Sequence, residues 1–307
     1  MKTSVALTSY NGMNYIAQLL DSLRLQQLPP DEVVIVDDCS TDGTFSFVER
    51  YIERYGLENW HNYQNETNMG WRANFREAFH RCSGDLIFVC DQDDIWQPYK
   101  IAEMKKIMED RPEIELLVSN YAVMDIDREE KVILPGLDRD DGTVEQWPFS
   151  PHALTDLRPG CTFCARRSLI NKLDERDMID VPHDDMLWSY AAVNDALYLF
   201  NRKAILYRRH SDSASTPGKS ICRTRRIEEI ASQLTIERFF LEVCRRSGDE
   251  QKAWLIEKQI RFQESRINIL RSGSPLKMLR FQLSSLRHYP TLRNLLADDY
   301  VLLFKPD

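Results

Sequence analysis

The chain has 307 residues, 43% of them hydrophobic and 29% charged, with a formal net charge of -8. This composition excludes a disordered or low-complexity chain and suits a globular protein with a sizeable core. No apolar run approaches the ~18 residues that a membrane span needs. The start, MKTSVALTSYNG, lacks a signal-peptide pattern, and the seven scattered cysteines (39, 82, 90, 161, 164, 222 and 244) suggest no disulfide framework. A cytoplasmic location with reduced thiols is expected. Cys161-x-x-Cys164 has no second pair beside it and is read as packing rather than a zinc or redox site.

The net charge hides an asymmetry. Residues 201–307 hold 21 Lys and Arg against 12 Asp and Glu, whereas the first 200 hold 19 against 36. Two surfaces with different partners are implied. The basic part suits anionic lipid or a phosphate-bearing substrate, so peripheral contact with the inner face of a membrane is an expectation. Solvated helix faces are the alternative.

In chain order, residues 3–9 read as a strand and 14–27 as a helix with Ile16, Leu19, Leu20 and Leu23 on one face, stopped by Pro29-Pro30. The run Val33-Val34-Ile35-Val36 is apolar on both faces, as in a central parallel strand. A helix over 44–55, a short strand over 60–64, a helix over 71–81, a strand over 85–90, a helix over 98–110 and a strand over 114–120 follow. This alternation predicts an α/β domain with a mostly parallel sheet. Residues 135–160, with four prolines and three glycines, predict a long loop or lobe. From about 223 onward the spacing is helical. The expected division is an α/β domain over 1–215, which would carry the site, and a helical region over 216–307, serving membrane association, dimerisation or acceptor binding.

In parallel sheets, ligands bind at the carboxyl ends of strands. Three polar clusters sit there: Thr8-Ser9-Tyr10-Asn11, Asp37-Asp38 and Asp91-Gln92-Asp93-Asp94. No Gly-x-Gly-x-x-Gly, no P-loop and no Gly-x-Ser-x-Gly elbow is present. Asp91 and Asp93 stand two apart where a turn can bring both to one divalent cation, and oxygen ligands favour Mg²⁺ or Mn²⁺. A capped acidic turn is the plain alternative. Asp38 or Asp37 could accept hydrogen bonds from a ribose or base, while Ser40 or Asp42 could simply cap a helix. In VPHDDMLW (181–188), Asp184 or Asp185 is a candidate general base or a helix cap. In ILYRRHSDSAS (205–215), Arg208, Arg209 and His210 could meet phosphate oxygens or a metal.

Together, VALTSYNGMNYIAQLLDSL, VVIVDDCSTDGT, NMGWRANFREAF, GDLIFVCDQDDIW, HDDMLW and YRRH resemble the family 2 glycosyltransferases over about residues 1–212. CDQDDIW with HDDMLW and YRRH is most similar to the rhamnosyltransferase-like subgroup of bacterial surface polysaccharide synthesis. The resemblance implies a GT-A fold, a Rossmann-like and mostly parallel sheet flanked by helices, with a C-terminal helical extension. It implies a nucleotide-sugar site made of Thr8, Tyr10, Asn11, Asp37, Asp38, Arg72, Asp91, Gln92, Arg208 and His210. Asp91, Asp93 and His210 would hold Mg²⁺ or Mn²⁺, and Asp184, with Asp185 second, would be the base. The implied activity is inverting hexosyl transfer from a uridine or deoxythymidine diphosphate sugar, rhamnose foremost, to a glycan or lipid-linked acceptor. A homodimer is one further expectation, and no nucleic-acid partner is expected. A family member usually has Glu-Asp where this chain has His183-Asp184. A catalytically inactive sugar-nucleotide-binding or scaffold protein is the alternative in another class. A nucleotidyltransferase would call for a basic, glycine-rich loop near the first strand, and TSYNGMN has no Lys or Arg.

Overall fold

The computed structural model describes residues 1–125, 139–150, 154, 158–174, 181–210, 222–289 and 292–305. The chain forms two compact units, Met1–Pro148 with Asp156–Thr216 and Phe149–Thr155 with Pro217–Asp307. The boundary expected at 215–216 lies outside the described residues, as does part of the lobe expected over 135–160.

The first unit is built on a nine-stranded mixed sheet. Its strands are β1 (Thr3–Ser9), β2 (Glu32–Asp37), β3 (Trp60–Gln64), β4 (Leu86–Cys90), β5 (Ile95–Trp96), β6 (Leu116–Asp125), β7 (Val144–Gln146), β8 (Phe163–Arg166) and β9 (Leu197–Arg209). The order is β3-β2-β1-β4-β8-β6-β9-β5, with β7 on β9. Pairing is parallel through β3, β2, β1 and β4 and again between β6 and β9. Strand β8 enters antiparallel between β4 and β6. β1, β2 and β4 are buried along their whole length, as runs without alternation require when helices cover both faces.

The helices are α1 (Ile16–Arg24), α2 (Thr44–Tyr55), α3 (Trp71–Arg81), α4 (Lys100–Asp110), α5 (Arg167–Ile170) and α6 (His183–Val193). α1 buries the Ile16, Leu19, Leu20 and Leu23 face. It is shorter than its apolar spacing suggests, because Gln27 N–H leaves the helix to bond the Pro98 carbonyl at 2.8 Å. α2 stops at Gly56, whose φ of 60° suits a residue without a Cβ. The strand order reverses between β1 and β4, so the carboxyl ends of β1, β2 and β4 share one edge.

The second unit contains α7 (Arg223–Ser247), α8 (Glu250–Ser272), α9 (Pro275–Ser285) and α10 (Leu292–Leu303). Gly248, in the left-handed region, ends α7, and the Asp249 side chain caps α8 through the Lys252 N–H. So short a link makes α7 and α8 antiparallel neighbours. Asp298 of α10, fully buried, accepts from Arg266 at 2.9 Å through both Nε and Nη2, from Arg226 Nε at 2.9 Å and from the Tyr289 hydroxyl at 3.0 Å. One acid thereby ties α7, α8 and α10 together.

Candidate active site

β4 is apolar up to Cys90, and the chain then turns through Asp91–Asp94 into β5. The end of β9 clamps this turn. Arg208 donates its backbone N–H to Asp94 Oδ1 (2.9 Å) and Nε–H to the Asp93 carbonyl (2.6 Å), while Nη2 reaches Gln18 Oε1 (2.5 Å). His210 Nε2 lies 2.8 Å from Asp93 Oδ2, and its ring packs on Tyr15 with centroids 4.5 Å apart. Arg208, expected to touch phosphate, is thus nearly buried and committed to the turn itself.

The electrostatics of the turn are set by burial and then by like charge. Burial, then the Asp93 charge, pushes Asp94 up to about 7. Asp91 is raised well above the ordinary carboxylate range by burial and by the charges of Asp93, Asp94 and Asp184. A positive charge lies beneath: Lys100 Nζ is buried, donates to the Cys161 carbonyl at 2.6 Å and sits 3.4 Å from the centroid of the Trp96 ring. Burial lowers its pKa to about 8.

The donor set fits a hard divalent cation. Carboxylate oxygens outnumber nearby positive groups, and burial, with the neighbouring negative charges second, raises Asp91 and Asp94. The expected trio of Asp91, Asp93 and His210 is only partly assembled, however. Asp93 meets His210, but Asp91 faces Asp94 and Cys161, with one ligand atom of each within 4.8 Å of the others. Cys161 is a poor candidate ligand. Burial raises its thiol far above its usual range, so it stays protonated and acts as a donor to the acids. Its softness also disfavours Mg²⁺ and Mn²⁺.

The neighbouring strand ends are wired to this turn. Gln92 holds the Tyr10 backbone from both sides, accepting from its N–H (2.8 Å) and donating to its carbonyl (3.0 Å). Asn11, at φ 48°, accepts from Thr41 N–H (2.9 Å) and donates its own N–H to Ser40 Oγ (2.8 Å). Thr8 is buried, whereas the Tyr10 side chain is exposed. Asp37 is engaged from within the chain. It is fully buried, and its oxygens already accept from Ser9 Oγ, from the Ser40 N–H and Oγ, and from Gln64. It secures the loop and offers little to a ligand. Asp38 likewise accepts from Asn65 (2.9 Å) and from the Met69 and Gly70 N–H groups (both 2.8 Å), which shapes the segment leading to Arg72. Arg72 is exposed and lies over the Trp71 ring. Ser40 bonds Asp37 instead of capping α2, and Asp42 accepts from Thr44 N–H and Met13 N–H.

Asp184 and Asp185 lie in the first turn of α6, where the helix dipole favours carboxylates. Neither is the N-cap residue, which is Pro182. His183 is buried against Phe75, Phe79 and Trp71, with centroids 4.0, 5.5 and 5.9 Å away, and burial lowers its pKa. This neutral ring locks α6 onto α3. A Cβ at Gly160 would sit 3.3 Å from both Asp184 Cβ and His183 Nε2, so the absent side chain lets α6 come close to the Gly160–Thr162 turn. Asp184 is therefore close enough to bear on Asp91. Asp185 N–H donates to Asp184 Oδ1 at 3.1 Å.

The family model described as "Glycosyl transferase family 2" matches residues 4–171, more than half of the chain. The chain belongs to glycosyl transferase family 2. Among curated relatives, poly(ribitol-phosphate) beta-N-acetylglucosaminyltransferase TarS of Staphylococcus aureus is 41% identical over 97 residues, 31% of this chain and 16% of TarS. The putative teichuronic acid biosynthesis glycosyltransferase TuaG of Bacillus subtilis is 35% identical over 108 residues, 35% of this chain and 42% of TuaG. An uncharacterised Mycobacterium tuberculosis protein is 34% identical over 112 residues, 36% of this chain and 32% of that protein. These matches thus span from under a fifth to less than half of the relatives' own lengths. The crystal structure of S. aureus TarS 1-349 in complex with UDP superposes with a TM-score of 0.59 at 20% identity, covering 98% of this chain and 90% of that one. GalNAc-T7 with UDP, GalNAc and Mn²⁺ superposes at 0.53 and 15% identity, covering 69% of this chain and 44% of that one. These likenesses establish the GT-A-like fold of this family 2 member.

Sequence reading gave Asp94 no role of its own within its cluster and passed over Lys100, Gly160 and Cys161 as parts of the site. One signal was available. Lys100 occupies the apolar stripe of α4 with Ile101, Met104 and Met108, a position where a solvated lysine does not belong.

Proposed function

We propose that this chain is an inverting, cation-dependent glycosyltransferase that moves a sugar from a nucleoside diphosphate sugar to an acceptor hydroxyl in bacterial cell-surface polysaccharide synthesis. The reading rests on one observation: Asp184 stands beside an acidic turn at the shared edge of β1, β2 and β4. Asp91 and Asp93, with His210 beside them, would hold Mg²⁺ or Mn²⁺, which neutralises the departing diphosphate. Asp184 takes the proton of the acceptor hydroxyl, whose oxygen bonds the anomeric carbon as the bond to the diphosphate breaks on the opposite face. Configuration inverts, and no covalent intermediate on the enzyme is required. A glycosidase pair would need carboxylates ~5–9 Å apart across a sugar, each with its own role. Three acids crowded into one turn do not suit that division of labour.

Thr8, Tyr10, Asn11 and Gln92 form the expected nucleoside wall, with the exposed Tyr10 ring available to a base. Asp38 would act by shaping the 68–70 backbone ahead of Arg72. TarS structures hold UDP or UDP-GlcNAc, which makes a uridine diphosphate sugar the first donor to test. Deoxythymidine diphosphate rhamnose, implied by the subgroup resemblance, is the second. The acceptor in this reading is a growing glycan, free or lipid-linked.

The test is a thermal-shift panel of nucleoside diphosphates with and without Mn²⁺, on the native chain and on Asp93→Ala. A ligand that binds only the folded state raises Tm by mass action. One diphosphate should stabilise the native chain only with Mn²⁺, and Asp93→Ala should remove the effect. If millimolar nucleotide leaves Tm unmoved, the transferase reading fails.

A further inference from the structure

The two outer faces of the helical unit differ in kind. Along α7 and α8, many exposed charges are neutralised in pairs: Arg225 with Glu229, Arg238 with Glu264, Arg245 with Glu242 and Arg261 with Glu257. Such a face is built for water. α9 and α10 are not. α9 buries Met278 and Gln282, yet Leu276 and Leu279, followed by Leu283 and by Leu286 just beyond the helix, recur in steps of three and four and are all exposed, Leu283 to 78%. α10 buries Leu295, Asp298 and Val301, yet exposes Leu292 (69%), Leu296, Tyr300 and Leu303, with Phe304 following. Both helices therefore carry a second apolar stripe with no core left to cover it. Scattered exposed leucines are ordinary, but this many at helical spacing on two contacting helices mark an interaction surface.

The charge around these stripes is positive. Residues 271–305 include six Lys or Arg and two acids, Asp298 and Asp299. Asp298 is buried in its arginine cluster, and Asp299 accepts from Gln282. Arg271, Lys277, Arg280 and Lys305 are exposed and form no ion pair among the described residues. No helix among the described residues is long and apolar enough to cross a membrane.

We propose that the α9–α10 face docks on an anionic lipid surface, with the leucine stripes seated at the headgroup boundary and the cations among the lipid phosphates. Short helices with leucine and aromatic residues on one side and unpaired cations beside them have the chemistry of interfacial attachment. A second copy of the chain fits less well. A two-fold contact through this face would set one basic rim against another. The docking does not depend on the transferase reading, although it would hold the enzyme where a lipid-linked acceptor is found.

The experiment is co-sedimentation of the full chain with vesicles of phosphatidylcholine alone and of phosphatidylcholine with phosphatidylglycerol, at low and high salt. Native protein should pellet with the anionic vesicles and be released by salt, since exposed charges are screened. Lys277→Glu with Arg280→Glu should weaken binding at least about tenfold, at roughly 1 kcal/mol per basic residue. Leu279→Glu with Leu283→Glu should abolish it. Both pairs are exposed, so the Tm and the nucleotide-induced shift should stay at native values, which separates failure of docking from failure of the transferase reading. No binding to anionic vesicles at low salt overturns the proposal, as does equal binding by the leucine variant. Light scattering that finds a native dimer, dissolved by the leucine variant, assigns the face to a second copy and overturns it too.

Discussion

Each unit buries a knot of charge, and the two knots are opposites. In the helical unit, Asp298 is surrounded by Arg226, Arg266 and Tyr289, and each carboxylate oxygen has two donors. In the sheet unit, Asp91, Asp93 and Asp94 crowd one turn, and Asp91 and Asp94 are pushed toward protonation. Desolvating a carboxylate is costly in both places. The first knot offsets that cost within the chain and serves architecture. The second leaves it outstanding, the condition of a site whose counter-charge arrives with a ligand.

The largest effect should come from the chemistry. Asp184→Asn is expected to lower the transfer rate by about 10²–10⁴-fold, the usual worth of a general base. It should leave the metal-dependent nucleotide shift in place, whereas Asp93→Ala should remove both. Rate assays beside thermal shift separate the two roles. Loss of the nucleotide shift in Asp184→Asn would make that residue part of the binding set instead.

Next comes the matched knot. Asp298→Ala leaves the buried Arg266 and the half-buried Arg226 without their carboxylate and should destabilise the helical unit by about 3–5 kcal/mol, measured by chemical denaturation. A change below 1 kcal/mol would show that water reaches this centre, and the contrast drawn above would collapse.

The unmatched knot should respond with the opposite sign. Asp94→Asn keeps an acceptor for the Arg208 N–H while removing a charge, and should stabilise the metal-free protein by about 2 kcal/mol at pH 8. The sign follows from linkage. The folded pKa is about 7 against an ordinary 3.8, so the unfolded chain gives up its proton first and stability falls as pH rises between those values. The variant's advantage should be absent near pH 3 and shrink when Mn²⁺ is added. Native stability that does not fall over this range in chelator would contradict the crowding argument.

The smallest effect tests an exception inside the helical unit. Glu237 of α7 is fully buried, and burial raises it from 4.5 to about 8. Stability should again fall as pH rises through that window. Glu237→Gln should add about 1 kcal/mol at pH 8 and nothing at pH 4, because Gln259 and Gln263 beside it soften the burial of the charge. Parallel pH profiles for variant and native chain would mean that Glu237 is solvated.

Much of the fold was legible because its elements are locally encoded. The strands expected over 3–9, 60–64 and 85–90 and the helices over 44–55 and 71–81 stand within a residue of β1, β3, β4, α2 and α3. What escaped was β7 and β9, together with β5 and β8, which are only two and four residues long. Segments this short carry no period of their own, and β8 is a strand only because β4 and β6 pair with it from both sides. That insertion, with the antiparallel pairing of β5 and β7 on β9, makes the sheet mixed.

The candidate site divides along the same line. The sequence by itself determined where the acids fall: at the ends of apolar strands and in the first turn of α6, positions set by local pattern. Only the tertiary structure decided what each acid is left to do. Asp37 ends β2 and Asp38 follows it, but Ser9, Ser40 and Gln64 saturate the first, while the second holds the 65–70 segment in place. Lys100 lies under the acidic turn because α4 packs there, and Asp184 reaches Asp91 because Gly160 lets α6 approach. Hydrogen-bond saturation and desolvation depend on neighbours brought from distant parts of the chain. No local pattern records them, and they separate a structural carboxylate from one available for chemistry.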